Sequence, residues 1–436
     1  MVLPPTSETT FVFCSFLILL VPFAIVGLAL INTGLGRSHS AAHTLLASIC
    51  AFTVAAGIYC ICGFAWQGYA GGPAHSLMVG GKPWSWLATQ PFFLRRVPWD
   101  GSPASLVICL QVFSVGLAAL IPIGAGLERW RLSAICGSTA LLAGLTYPLF
   151  AHWVWSDGWL AQLGANYGLG SGFVDAGGAG CIQVVGGLTA LAVCWILGPR
   201  KGKYGSDGMP TAIPGHQGAY ILAGCLLAWI GWMGLNSATS ILFAGAEIGR
   251  VALISVNTTL AAGAAGLAAV VTTRVRFGRP DISISANGWV SGLVASSAGC
   301  GFVSPASAVL IGFVAGALTT FSVELFELRF AVDDPGGAIS VHVVGGIWGL
   351  IAVAALGNFP NGGNNPWAQG IAQIVGIATL LGFVLPLTYG LNFALNFVIP
   401  YRVAPEGERQ GMDLYELGAG AYPEFMTHTE EFTQFR

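Results

Sequence analysis

Apolar residues in this chain run in long blocks, and the polar residues gather in the short stretches between them. A bilayer's hydrocarbon core takes roughly 20 apolar residues to cross as a helix. The block edges predict eleven such spans, at 11–32, 43–67, 103–126, 132–156, 175–197, 215–236, 249–272, 284–299, 305–328, 335–357 and 367–398. The predicted fold class is therefore an all-α membrane protein with eleven transmembrane helices. The first block has no basic segment before it and no clear small-residue cleavage site after it, so it reads as a span and not as a removed signal. The boundaries predict a membrane domain over 1–398 and a tail over 399–436.

One short pattern occurs twice. Asp175-Ala-Gly-Gly-Ala-Gly-Cys-Ile-Gln183-Val-Val-Gly-Gly-Leu188 returns as Asp334-Pro-Gly-Gly-Ala-Ile-Ser-Val-His342-Val-Val-Gly-Gly-Ile347. Eight residues past each Asp stands one polar side chain in an apolar run, Gln183 in one copy and His342 in the other. The pattern opens the fifth and the tenth predicted spans. Eleven spans thus divide into a first repeat over about 11–197, a second over 215–357, and a last helix over 367–398.

Charge placement turns the duplication into geometry. Arg37, Arg129, Arg131, Arg200, Lys201, Lys203, Arg274, Arg276, Arg279 and Arg329 follow odd-numbered spans, and the tail adds Arg402, Arg409 and Arg436. Lys82, Arg95, Arg96 and Arg250 fall on the other side. Cytoplasmic loops carry the excess of Lys and Arg, which puts the N-terminus outside and the tail in the cytoplasm of a multi-pass protein. The fifth span then enters from the outer face and the tenth from the inner face, so the repeats are inverted. Eight helical residues rise about 12 Å. Gln183 and His342 should therefore meet near the midplane of a hydrocarbon core about 30 Å thick.

Composition agrees with this class. Hydrophobic residues are 55% of the 436 and charged ones 8%, and the 62 Gly suit close helix packing in lipid. The ten Cys show no metal-ligand spacing and read as small packing residues. There is no nucleophile motif, metal cluster or cofactor loop, so an enzyme is not expected. Gly168–Gly172 reads as a turn in a loop, not as a phosphate cradle. The net charge of −2 says nothing about partners, and no nucleic-acid partner is expected.

Several residues have both a structural and a functional reading. Asp175 suits a helix N-cap, and it can also lend negative potential to an outer mouth. Asp334, with Pro335 behind it, reads as a structural cap. His342 is a buried core histidine or a pore group, and Gln183 either orients it or touches a solute. Trp155 ends the fourth span in Ala-His152-Trp-Val-Trp, as interfacial belt material or as a cation–π wall. His152 reads as a packing residue bonded to a neighbour. Gly231-Trp232-Met-Gly-Leu235-Asn236-Ser-Ala-Thr239 ends the sixth span on the same side, where the Thr239 hydroxyl can cap or coordinate.

These segments, together with Gly-Ala-Gly-Leu-Glu128-Arg129, Asp333-Asp334-Pro335 and the tail's Arg402-Val-Ala-Pro-Glu-Gly-Glu-Arg-Gln-Gly-Met-Asp413, resemble the ammonium transporter family (Amt/Mep/Rh). The likeness runs from about residue 11 to 425, and Trp155 aligns with the Amt branch. It implies a homotrimer with one pore per subunit and no cofactor. It also implies recruitment of ammonium at Trp155, Thr239 and Asp175, followed by a narrow path lined by a midplane pair. The family has two histidines there; this chain has Gln183 and His342. The family's stacked outer phenylalanines align with Ser114, next to Phe113, and with Leu235; Trp232 belongs to the same pore-lining stretch.

The resemblance leads to transmembrane ammonium transport in a cell (inner) membrane, with ammonia passing with or without a proton. A second expectation is an ammonium-binding sensor signalling through a separate partner, because the tail is too short for a catalytic domain. A PII-type regulator at the cytoplasmic face is a possible partner by resemblance, although Tyr415-Glu-Leu-Gly replaces the family's usual stretch.

Overall fold

A computed structural model describes residues 8–100, 102–359 and 365–422. Arg436 and the rest of the tail's end lie outside the described residues. The chain folds into one helical bundle. Its long helical segments are α1 Glu8–Leu35, α2 Ser38–Gln67, α3 Pro103–Gly126, α4 Leu132–Trp155, α5 Ala179–Leu197, α6 Gly218–Ala244 and α7 Ile248–Phe277. They continue as α8 Ile282–Ser297, α9 Pro305–Arg329, α10 Ile339–Leu356 and α11 Pro366–Val398.

Ten of these segments are long and apolar enough to cross a membrane. The expected eighth span is the exception. It is a helix of 16 residues, opened by the Asp281 carboxylate accepting from Ile284 N at 2.8 Å and followed by a turn at Ala298–Cys300. Sixteen residues rise about 24 Å, short of the hydrocarbon core. Packing explains why it is not apolar all round: α8 lies buried among α6, α7, α9 and α10, so Ser and Gly face neighbouring helices.

Small residues set how closely the helices approach. A Cβ on Gly27 of α1 would sit 2.5 Å from Gly224 O of α6, and one on Gly224 would sit 2.6 Å from Gly27 O. Any larger side chain at this crossing forces the backbones apart, which is the reason lipid-embedded bundles favour such positions.

The two copies of the repeated pattern adopt matching local structure. Each begins with an Asp whose carboxylate accepts backbone N–H groups, and each passes through a six-residue π-helix, Ala179–Val184 and Ile339–Val344. The third residue of each copy donates its N–H to the end of another helix. Gly177 N reaches Ser297 O of α8 at 2.7 Å, and Gly336 N reaches Gly124 O of α3 at 2.9 Å.

A buried charge cluster ties the halves together at one end. Arg200 holds Asp333 through two guanidinium bonds, at 2.9 and 3.0 Å, and Glu128 through a third at 2.8 Å. Glu128 also pairs with Arg37, while the fully buried Arg129 donates to Gly198 O, Leu127 O and Asp333 O. The tail docks on the same end. Asp413 accepts from Ala42 N and His43 N at the start of α2, and Glu416 reaches His43 Nε2 and Leu132 N. The Arg-bearing turns and the tail therefore share one face of the bundle.

The opposite end is closed by an antiparallel hairpin that the apolar pattern does not reveal, β1 Ala74–Val79 and β2 Lys82–Ala88. Gly80 and Gly81 both have positive φ, at 59° and 77°, which a two-residue hairpin turn requires. Trp84 stacks on Trp159, and Trp86 O accepts from Trp153 Nε1, so the hairpin is pinned to the end of α4. His152 is a packing residue here, with Nδ1 2.7 Å from Gln67 O and Nε2 3.1 Å from Ser85 Oγ.

Removing one partner of a buried ion pair leaves the other uncompensated, at a cost of about 3–5 kcal/mol. Asp333→Ala is expected to destabilise the purified protein by that order, read as a lowered melting temperature at pH 7. Burial opposes the Asp333 carboxylate, but Arg129 and Arg200 outweigh it and hold its pKa below the ordinary value. Stability from such a group is present above the unfolded pKa of about 3.9 and is lost as pH falls through the lower folded value. The wild type should therefore lose melting temperature below about pH 4 more steeply than Asp333→Asn does. Parallel curves for the two proteins would remove Asp333 as a source of the acid limb.

Candidate functional site

The polar residues of the two copies meet inside the apolar core. His342 Nδ1 lies 2.8 Å from Gln183 Oε1, and both side chains are buried, at 2% and 0% exposure. An amide oxygen only accepts, so the ring nitrogen facing it carries the proton. In the neutral ring, Nε2 then keeps its lone pair. Gln183 Nε2 is buried with no protein partner, so its two N–H donors remain free at the pair.

Packing holds these residues in register. A Cβ on Gly187 would sit 2.7 Å from Val343 Cγ2 and 3.1 Å from His342 Cβ. One on Gly346 would sit 2.6 Å from Val184 Cγ2 and 3.0 Å from Ala179 O. Each Val-Val-Gly-Gly thus packs its glycine against the other copy's valine.

At the hairpin end lies a cavity of about 900 Å³, lined in part by Trp155, Asp157, Asp175, Phe243, Glu247 and Phe302. Trp155 is buried, which excludes a role as lipid-interface belt, and its Nε1 donates to Asp175 O at 2.7 Å. The Asp175 carboxylate turns into the helix start instead of the cavity. It accepts from Gly178 N, Gly180 N and Cys181 N at 2.8–3.0 Å, so the capping reading describes its side chain and its carbonyl positions Trp155. Asp334 caps in the same way through Ile339 N at 2.7 Å.

The remaining expected residues are each engaged by neighbours of their own. Thr239 is fully buried and gives its hydroxyl proton back to its own helix, at Leu235 O, 2.6 Å away. Trp232 donates to Ser297 Oγ at 3.0 Å and is also fully buried. Leu235 and Ser114 are buried, with Ser114 Oγ bonded to Leu110 O. Phe113 stacks on Phe52, with centroids 6.3 Å apart, and so packs between α3 and α2. Phe243, which lies on the cavity and stacks on Trp155, was not anticipated. The spacing held the signal: Leu235, Thr239 and Phe243 recur at i, i+4 and i+8, on one helix face.

The Ammonium Transporter Family profile matches residues 10–422. The chain belongs to the ammonium transporter family. It is 35% identical to ammonium transporter Amt2 of Archaeoglobus fulgidus over 96% of this chain and 88% of that one. With the ammonium transporter of Bacillus subtilis the identity is 31%, over 96% and 99%. Among solved structures, a sensor Amt protein superimposes with a TM-score of 0.83 at 26% identity, over 93% of this chain and 97% of that one. Saccharomyces cerevisiae Mep2 gives 0.76 at 25% identity, over 91% and 87%. Its relatives are transporters and not enzymes, and the family membership and apolar helices make this chain a multi-pass membrane protein.

A side chain forced into the α5–α10 crossing should disturb the polar pair without touching it. Gly187→Val overpacks this contact, which costs about 1–3 kcal/mol. The expected outcome is a folded protein with a lower melting temperature. If melting is unchanged, the crossing is looser than its distances indicate.

Proposed function

We propose that this protein carries ammonium across a cell (inner) membrane, passing ammonia with or without a proton through a narrow path lined by Gln183 and His342. One observation carries the reading: the buried pair offers a free donor on Gln183 and a lone pair on His342 Nε2 in an otherwise apolar core. Ammonia can accept from the first and donate to the second. A dehydrated ammonium ion gains no compensating charge there, and desolvating an ion in apolar surroundings is costly. The cation therefore waits in the vestibule, at Trp155, where an indole face attracts it. The names of the relatives point the same way.

In this reading the chain is of the Amt branch, and α8 completes eleven crossings. Helices α1–α5 and α6–α10 are inverted repeats, with α11 added. The matched caps, π-helices and reciprocal glycine contacts support that arrangement. The membrane domain covers 1–398 and the tail 399–436. The arginine-rich face is cytoplasmic, with the N-terminus outside. The protein works as a homotrimer, and the docked tail offers a surface to a PII-type regulator.

Gln183 bears on the proton. An imidazole can take up and release one near neutral pH; an amide cannot. Gln183→His should raise ammonium-evoked current per unit of uptake. His342→Ala should leave the amide facing an apolar gap, at a cost of about 1–3 kcal/mol, and should give poorer selectivity against potassium or a dead pore. Trp155→Ala should weaken apparent ammonium affinity by about 0.5–2 kcal/mol. Current and labelled uptake in proteoliposomes measure all three. A current-to-uptake ratio indifferent to Gln183→His removes the amide as the limit on proton movement.

One observation favours a second reading. The TM-score of 0.83 is to a protein described as a sensor. A sensor would bind ammonium and give neither current nor uptake in the same vesicles.

A further inference from the structure

Phe243 covers the indole that the proposed recruitment site uses. The two rings are parallel to within 7°, with centroids 4.6 Å apart. That is an offset-stacked contact of the favourable kind. A cation attracted to the indole must itself sit over the ring, within about 6 Å of its centroid. Nothing fits between rings so close, so a cation using this face of Trp155 competes with the phenyl.

The rest of the site says which ring moves. Trp155 is buried, its Nε1 is bonded to Asp175 O at 2.7 Å, and a Cβ on Gly178 would sit 3.3 Å from its Cη2. The indole is held on two edges. Phe243 is half-buried, lines the 900 Å³ cavity, and is the penultimate residue of α6. Gly245 follows with φ 68°, ending the helix in a left-handed turn that gives this corner its change of direction.

We infer that Phe243 is a lid on the recruitment site: it closes by stacking on Trp155, swings into the cavity to admit a small monovalent cation, and sets the apparent affinity of entry. This inference rests on the ammonium reading above. The stacked state is a closed population, and a ligand bound only by the open one sees its affinity reduced by the open fraction. Removing a stack of ordinary strength should therefore tighten half-saturation by about two- to tenfold.

Two measurements on the full chain in proteoliposomes test it. In the first, 4-fluorophenylalanine stands at position 243 of the otherwise unchanged protein, and ¹⁹F NMR follows its resonance as ammonium chloride replaces sodium chloride. The lid predicts a saturable shift that Trp155→Ala abolishes. In the second, the half-saturation for ammonium falls about two- to tenfold in Phe243→Ala and stays near wild type in Phe243→Tyr. A resonance indifferent to saturating ammonium overturns the lid. So does a half-saturation that is unchanged or raised in Phe243→Ala while Trp155→Ala weakens it. A shifting resonance in vesicles that show neither current nor uptake supports the lid and removes conduction alone. Conduction with a motionless resonance removes the lid alone.

Discussion

In a bilayer core a polar side chain has no water to turn to, and the hydrogen bond between Gln183 and His342 answers that constraint for both halves of the molecule. Either group alone would be a buried orphan. Together they require α5 and α10 to cross closely, and the glycines of each Val-Val-Gly-Gly make the crossing possible. The π-helices that contain both residues add one residue to the local turn, which re-aims side chains near functional positions. The two Asp caps then fix where those helices begin. Cap, wide turn, polar residue and close crossing form one unit, present twice.

The buried charge cluster at one end of the bundle follows the same logic with ions. Asp333 immediately precedes the cap of the second copy, and Arg200 follows α5, which carries the first. Their bidentate pair links the end of α5 to the beginning of α10. Glu128, extended by Arg37, brings in the turns after α3 and α1. The tail then closes over the turn between α1 and α2 through Asp413 and Glu416. The same end of the bundle thus gathers the tail, the turns after α1 and α3, and the chain on either side of the α5–α10 link.

Much of this was legible in the residues. The apolar blocks located most of the long helices to within about five residues, because lipid demands whole helices and punishes interruption, but the end of α6 lies eight residues beyond its block. The duplicated pattern located the polar pair. What the pattern hid has physical reasons. Helix α8 has protein on most sides, so neither its length nor its polarity follows the lipid-facing rule. The hairpin announces itself only through Gly80-Gly81 between residues that alternate weakly. Thr239 has the residue type of a cation site, and its hydroxyl also bonds a carbonyl one turn back in its own helix. Phe113 stands one residue from the aligned position, and which way its ring points depends on Phe52, more than fifty residues away in sequence.

The two copies have kept their backbones alike and let one polar side chain differ. Caps, wide turns and glycines are matched, because each is needed to bring two helices together in lipid. The residue at the crossing is under a weaker packing demand: an amide and an imidazole are both flat, of similar reach, and able to satisfy the facing ring nitrogen. What separates them is the proton. Gln183 presents an oxygen that only accepts and a nitrogen that only donates, so the polarity of the pair is fixed in one sense. A pair of imidazoles can reverse that sense by exchanging tautomers. The amide at this crossing thus fixes one property, the direction of the hydrogen bond at the centre.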